Sequence, residues 1–334
     1  MRLCQSGHME GRLYGLDALR GVAAILVLLF HANATFGNLS IFSSAYLAVD
    51  FFFMLSGYVM ARTYEPQMAA GLSAHNFLRK RVKRLWGTVA IGTLVGFAYF
   101  TLWAEVPLTE AVPPLLLMLC FLPAPSGWTL FPLNIPAWSI TFELIANAVH
   151  AVSLRRWSTK ALAIFAFANL AITAMAFARY GQFQSGILPA YLAGNLTRVL
   201  AAYSIGIVLF RIMRDRSPLS APALVPTLLL TGVLMVGVFV RSIAFDVLFV
   251  ALICPLLIAM GLGRALPFSS AIGALSFPLY AVHQPILHWI KMVGGSASIA
   301  CVIALLAGAA LAWFVSDKPR NRWNESQQLS ADTG

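Results

Sequence analysis

Apolar residues recur along the chain in long blocks, each about the length of a helix that crosses roughly 30 Å of hydrocarbon, about 20 residues. Short polar segments separate the blocks. The pattern predicts ten membrane-spanning helices, at residues 16–36, 42–63, 86–104, 138–154, 161–178, 195–213, 222–240, 244–262, 271–290 and 297–316. The expected fold is therefore an all-α, polytopic transmembrane helical bundle.

One further apolar run, at residues 111–123, has a different character. It is shorter than a span, it begins at Val112-Pro113-Pro114, and it ends at Pro123. Proline removes a backbone donor and interrupts a helix. We therefore predict a re-entrant or interfacial segment within an outer loop, 105–137.

The composition agrees with a bilayer as the surroundings. Of the 334 residues, 60% are hydrophobic and only 10% are charged, and the mean hydropathy is +0.80. So few charges cannot cover a water-facing surface, which excludes the soluble enzyme folds. The four cysteines lie far apart without a Cys-x-x-Cys pair, so we expect neither a disulfide framework nor a metal site.

The net charge of +11 would suggest a nucleic-acid partner in a soluble protein, but in a membrane protein it first reports topology. Basic residues cluster at 79–84, 155–160, 211–216 and 318–322. All four clusters fall on one side if ten helices cross and 111–123 does not. We expect that side to be the cytoplasm, with both termini there, and we expect no nucleic acid. The predicted parts are a cytoplasmic N-terminal tail (1–12), a membrane domain (13–320) and a disordered cytoplasmic tail (321–334).

Ionisable residues inside the spans are candidate functional groups, because burying them in lipid is costly. Arg20 and His31 are eleven residues apart, which places them on one face of a helix about 16 Å apart. Asp50, Glu143 and His283 are expected at the depth of His31, so four helices would form one polar chamber. The basic cluster 79–84 suits a polyphosphate ligand as well as a topology signal.

Several of these residues have a structural interpretation as well. Asp50 is either an acid in a structural pair or a catalytic group. His150 and His288 are equally well explained as partners in interhelical hydrogen bonds. Asp246 is expected near the outer end of its helix, where interfacial water would solvate it.

Six motifs in order resemble the acyltransferase-3 family of bacterial inner-membrane O-acyltransferases. GLDALRGVAAILVLLFHA carries an Arg, ten residues and a His, and VDFFFMLSGYVMA carries an Asp and a Ser at the family's positions. FLRKRVKRLWG, PAWSITFEL and FPLYAVHQPI follow, and Asp317-Lys318-Pro319 stands where the family usually has a Glu. The matching residues with candidate roles are Arg20, His31, Asp50, Ser56, Arg81, Arg84, Trp138, Ser139, Glu143, Tyr280 and His283.

The resemblance implies an enzyme of the bacterial inner membrane that transfers an acyl group, most often acetyl, from cytoplasmic acyl-CoA to a sugar hydroxyl of a surface glycan or glycolipid. On that basis the CoA phosphates would bind Arg20, Arg81 and Arg84. His31 would be the general base, and Glu143 or Asp50 would orient it or hold the sugar.

The remaining matched residues have weaker expected roles. Ser139, Tyr280 and His283 could stabilise the oxyanion, and Ser56 and Trp138 are weaker candidates for binding substrate. Direct transfer and an acyl-histidine intermediate both remain open.

A transporter or flippase for a glycan or an anionic substrate is the alternative function. The same polar chamber could serve as a substrate site at the midplane of the bilayer. The sequence shows no internal repeat, which disfavours this alternative.

Overall fold

The chain is an all-α bundle, as expected from the apolar pattern. A computed structural model describes residues 13–124, 129–181, 183, 191–216, 219, 221–222, 224–263 and 267–316. Within these ranges the regular structure is helical and contains no strand. The two predicted tails, 1–12 and 321–334, and the Asp317-Lys318-Pro319 motif lie outside the described residues.

Every predicted span corresponds to a helix. The helices are α1 (Tyr14–Phe36), α2 (Ala48–Ala69), α3 (Ala74–Leu102), α4 (Leu108–Leu119), α5 (Ala137–Val152), α6 (Thr159–Phe177), α7 (Leu192–Met213), α8 (Leu224–Val240), α9 (Ile243–Leu248), α10 (Cys254–Gly261), α11 (Ser269–Met292) and α12 (Ala297–Ser316). A π-helical turn, Phe249–Ile253, joins α9 and α10 into one rod.

Seven of these segments are long and apolar enough to cross a membrane: α1, α2, α3, α6, α7, the α9–α10 rod and α12. Two other predicted spans, α5 and α8, have 16 and 17 residues. The last of the ten predicted spans to be placed, α11, has 24 residues but includes two prolines and several polar side chains.

The directions of the helices agree with the predicted crossings. Parallel packing of α1 and α11 brings His31 to His283 and Thr35 to Lys291. α5 runs parallel to α2, since Ser56 contacts Glu143 and, further along both helices, Glu65 contacts His150. α3 and α5 run in opposite directions, so α4 between them does not cross the bundle.

α4 folds back along α3, which is the re-entrant arrangement predicted for the run at 111–123. The indole N–H of Trp86, in the middle of α3, donates to the carbonyl of Leu119 at the end of α4, at 2.9 Å. The chain then returns through residues 129–136, a segment without regular helix that is almost entirely buried. Non-helical backbone inside a membrane protein is tolerated where protein surrounds it.

A proline in α11 anchors this buried segment. Pro285 has no N–H, so the carbonyl of Ala281, four residues earlier, lacks its helical partner. The side-chain Nδ2 of Asn134 donates to that carbonyl at 2.9 Å. The segment is thereby held against α11, and α5, which follows it, begins inside the bundle rather than at its surface.

Two glycines allow α2 and α7 to approach closely. A Cβ on Gly57 would collide with the carbonyl of Tyr203, and a Cβ on Gly206 would collide with the carbonyl of Met54. Small residues at such crossings are the usual way in which membrane helices pack backbone against backbone.

We expect Gly206→Val to force α2 and α7 apart and to destabilise the bundle by about 1–3 kcal/mol, the usual cost of overpacking. The measurement is the thermal unfolding temperature of the purified protein in detergent, read as the fraction that remains monodisperse in gel filtration after heating. Gly232→Val is the matched control, because a Cβ at Gly232 on α8 meets open space. Equal unfolding temperatures for the two variants would contradict the close crossing.

Candidate active site

A cavity of about 130 Å³ opens at the end of the bundle where α1 and α11 begin. That volume admits on the order of ten water molecules. We call this cavity the basic pocket. Residues from α1, α2, α3, α5 and α11 line it, and the polar ones are Arg20, Ser56, Arg81, Arg84, Ser139, Glu143, Ser276 and Tyr280. Seven of the eleven residues singled out from the motifs therefore meet in one place.

Glu143 lies in the basic pocket rather than beside His31, which corrects the expected position. Its Oε1 accepts hydrogen bonds from Arg81 Nη2 at 2.7 Å and from Ser56 Oγ at 2.6 Å. The reason is the start of α5 inside the bundle, which shifts Glu143 towards the basic end. The buried guanidinium of Arg81 needs a counter-ion, and Glu143 provides it.

The pocket keeps positive charge after this pairing. Arg20 Nη1 lies 3.5 Å from Asp17 Oδ1 one turn earlier on α1, and 28% of its side chain is exposed. The guanidinium of Arg84 is exposed and has no ion pair with any described residue. Arg20 and Arg84 are thus the cations in the pocket that remain open to an anionic ligand.

His31 and His283 form a pair further along α1 and α11, and neither lines the basic pocket. The Nδ1 of His283 faces the carbonyls of Leu279 and Tyr280 at 3.1 and 2.9 Å, so it carries a proton. Its Nε2 lies 3.1 Å from His31 Nδ1. In the neutral ring that Nε2 is an acceptor.

The same reasoning places the proton on His31. Its Nδ1 also lies 3.0 Å from the carbonyl of Val27, which can only accept, so His31 Nδ1 carries the hydrogen. Nε2 of neutral His31 therefore has a free lone pair, and it has no hydrogen-bond partner in the described part of the chain. A histidine in this tautomer is suited to act as a base.

Two aromatic residues lie between the basic pocket and the histidine pair. Tyr280 lines the pocket on one side, and on the other its ring lies 5.8 Å from that of His283. Phe52 packs edge-on against Tyr280, with ring centroids 5.9 Å apart.

The hydroxyl protons of this region are already donated to protein atoms. Ser139 Oγ donates to the carbonyl of Pro136 at 3.0 Å, so Tyr280 donates its proton to Ser139 Oγ at 2.6 Å. His283 in its neutral form has no N–H left for an oxyanion. The expected role of Ser139, Tyr280 and His283 as oxyanion donors is therefore not supported by this arrangement.

Asp50 is bound to Arg198 rather than to His31, which is a second correction. Arg198 donates to both carboxylate oxygens of Asp50, at 2.8 and 2.5 Å, and to the carbonyls of Phe183 and Tyr46. The ring of Trp138 lies beneath the same guanidinium, with 5.9 Å between Arg198 Cζ and the centroid of the Trp138 ring. The physical reason is that a buried carboxylate is stable only with a charged or hydrogen-bonding partner.

Asp246 belongs to the same cluster and is buried, contrary to the expected interfacial position. Both of its carboxylate oxygens accept from the Tyr46 hydroxyl at 2.8 Å, and Oδ2 also accepts from the backbone N–H of Phe183 at 2.6 Å. Arg198, which holds Asp50 and lies beside Asp246 in this cluster, was not singled out from the sequence. The available signal was its position as the fourth residue of the predicted span 195–213.

His150 forms interhelical hydrogen bonds, which is the structural interpretation offered for it above. Its Nε2 lies 3.0 Å from Glu65 Oε1 and its Nδ1 lies 2.9 Å from the Tyr203 hydroxyl. Arg211 donates to the same Glu65 oxygen at 2.7 Å. This network ties together α2, α5 and α7 near their last turns.

Nearly the whole chain matches one protein family: residues 13–317 match the family described as an acyltransferase domain. Protein 2 in the picA locus of Rhizobium radiobacter is 37% identical over 163 residues, which are 44% of this chain and 82% of that protein. The exopolysaccharide production protein ExoZ of Rhizobium meliloti (strain 1021) is 24% identical over 327 residues, 91% of this chain and 98% of that protein. No solved structure matches.

The family match extends from the start of α1 to the end of α12 and includes both the basic pocket and the histidine pair. The fold, with its long apolar helices, agrees with an enzyme that resides in a membrane. The chain therefore belongs to the acyltransferase-3 family and is a multi-pass membrane acyltransferase.

Proposed function

We propose that this acyltransferase moves an acyl group, most often acetyl, from cytoplasmic acyl-CoA to a hydroxyl of a surface glycan or glycolipid. The observation that carries the proposal is His31, a base with a free Nε2 lone pair that shares a helix with the basic pocket. The relative named for exopolysaccharide production supports a polysaccharide acceptor. The family match favours this enzyme over the transporter alternative.

The donor binds with its phosphates in the basic pocket. Arg20 and Arg84 contact the phosphates as fixed cations, since guanidinium groups form charge-assisted hydrogen bonds with phosphate oxygens. Arg81 stays paired with Glu143 and presents its remaining N–H groups; its buried Nε has no partner among the described atoms. Glu143 thus acts as a positioning residue for Arg81, in place of the expected role beside the base.

The pantetheine arm then follows α1 towards His31. Arg20 and His31 are about 16 Å apart along the helix axis. The arm passes Phe52 and Tyr280, which line the inner end of the pocket. The thioester carbonyl thereby comes within reach of His31 while the phosphates stay at the arginines.

Transfer requires one proton acceptor, and His31 Nε2 supplies it. Nε2 removes the proton of the sugar hydroxyl as its oxygen attacks the thioester carbonyl. The C–S bond of the tetrahedral intermediate then breaks, an ester forms, and the thiolate of CoA takes the proton from Nε2. His283 accepts from His31 Nδ1–H throughout and so keeps Nε2 directed at the substrate.

The donor side of this scheme is cytoplasmic and the acceptor side is outside, with the chain in the bacterial inner membrane. The basic clusters support this orientation, because Lys and Arg accumulate in cytoplasmic loops. α1 then runs outwards from Arg20 to His31.

The orientation predicts the behaviour of reporter fusions in a bacterial host. Green fluorescent protein fused after residue 334 should fluoresce, and alkaline phosphatase fused there should be inactive, because both report the compartment in which they fold. Fusions after Gly37, at the end of α1, should give the opposite pair of signals. The reverse result at both positions would invert the proposed sidedness.

We expect His31→Ala to lower the turnover of acyl transfer by about 10²–10⁴-fold, the range for loss of a general base. The measurement is transfer of label from radiolabelled acetyl-CoA to extracted glycan, with the amount of protein in the membrane checked by immunoblot. His75→Ala is the matched control, because His75 is exposed at the start of α3. Retained turnover in His31→Ala would exclude His31 as the base.

Arg84→Gln should raise the KM for acetyl-CoA about tenfold and leave kcat largely unchanged, since it removes a contact made equally in the ground state and the transition state. Arg20→Gln should act in the same direction. Arg79→Gln, on the same helix but outside the pocket lining, is the control. An unchanged KM in both pocket variants would remove the proposed phosphate site.

A further inference from the structure

A second polar cluster lies beyond the histidine pair, towards the end of α11. Gln284 and His288 are one turn apart on α11, with their Nε2 atoms 3.2 Å from each other. The ring of Tyr99, from α3, lies 5.6 Å from that of His288. We call Tyr99, Gln284 and His288 the far cluster, because none of them lines the basic pocket.

The far cluster contains a buried polar atom that the protein leaves without a partner. Gln284 is 5% exposed, and its Oε1 makes no hydrogen bond with a described residue. If the amide of Gln284 is rotated by 180°, its oxygen and nitrogen exchange places. One of the two atoms then still contacts His288, and the other still has no hydrogen-bond partner. Leaving such an atom unpaired is costly, so a partner from outside the chain is indicated.

The far cluster begins one residue beyond His283 on α11. Gln284 follows His283 in the chain, and His283 is bonded to His31. His288 is five residues beyond His283 on the same helix. A ligand held by Gln284 and His288 would therefore lie within about two turns of α11 from His283, the partner of His31.

The side chains of the cluster indicate the chemical class of the ligand. An amide and an imidazole offer both donors and acceptors to hydroxyl groups, and a half-buried tyrosine ring offers an apolar face. An acyl chain would leave the amide unpaired. An anionic group would need a cation, and the far cluster contains no Lys or Arg side chain.

We propose that Tyr99, Gln284 and His288 form the acceptor subsite, which binds a neutral sugar residue and directs one of its hydroxyls at His31. The proposal rests on the proposed function, because it identifies where the second substrate of that reaction binds. Gln284 holds a hydroxyl of the sugar, the Tyr99 ring packs against its C–H face, and His288 contacts a neighbouring hydroxyl.

Gln284→Met tests the subsite by kinetics, since it keeps the side-chain size and removes the amide. With acetyl-CoA and glycan extracted from a strain that lacks the gene, the KM for glycan should rise about tenfold, as for one lost hydrogen bond. The KM for acetyl-CoA should change by less than about twofold, since the arginines bind the donor. Gln67→Met, at an exposed position on α2, should behave as the wild type. An unchanged KM for glycan, or an equal rise in both KM values, would overturn the assignment.

Chemical protection tests the same subsite without turnover. Diethylpyrocarbonate modifies accessible histidines, and mass spectrometry reports each site. The extracted glycan should protect His288 in the wild type but not in Gln284→Met, and it should leave exposed His75 unprotected in both. Equal modification of His288 with and without glycan would exclude the subsite. A wild type that transfers no label but shows this protection would instead refute the proposed reaction and keep the glycan site.

Discussion

The arrangement of the bundle depends on one constraint: a charge removed from water needs a partner. Three acid–base pairs satisfy it, each joining helices that are distant in sequence: Arg81 with Glu143, Arg198 with Asp50, and Arg211 with Glu65. Such pairs add little net stability, because desolvation offsets most of the attraction, but breaking one exposes an uncompensated charge. They therefore fix the relative positions of α2, α3, α5 and α7 more than they strengthen them.

The same pairing separates structural from reactive groups. Once the paired residues are set aside, the ionisable side chains that remain available within the described helices include Arg20 and Arg84 of the basic pocket, the His31–His283 pair and His288. The open arginines lie towards one end of α1 and the histidine pair towards the other, and Tyr280 lies between them. α1 thus sets the spacing between two chemically different groups of side chains.

Much of this could be predicted from the sequence. The apolar blocks gave every helix, and the prolines around 111–123 identified the segment that folds back. The interval from Arg20 to His31 placed both on one face because helical geometry is local. The depth of Glu143 could not be predicted, because the segment 129–136 has the polar and proline-rich composition of a surface loop although it is buried. The partner of Asp50 is 148 residues away, and a choice between distant partners depends on packing that no local pattern encodes.

The contact between Phe52 and Tyr280 has a consequence for the proton gradient across the membrane. A continuous row of titratable groups from the basic pocket to the far cluster would conduct protons and discharge the gradient across the membrane. The apolar ring of Phe52, packed edge-on against Tyr280, interrupts that row. The bundle can therefore hold ionisable groups towards both ends of α1 with an apolar contact between them.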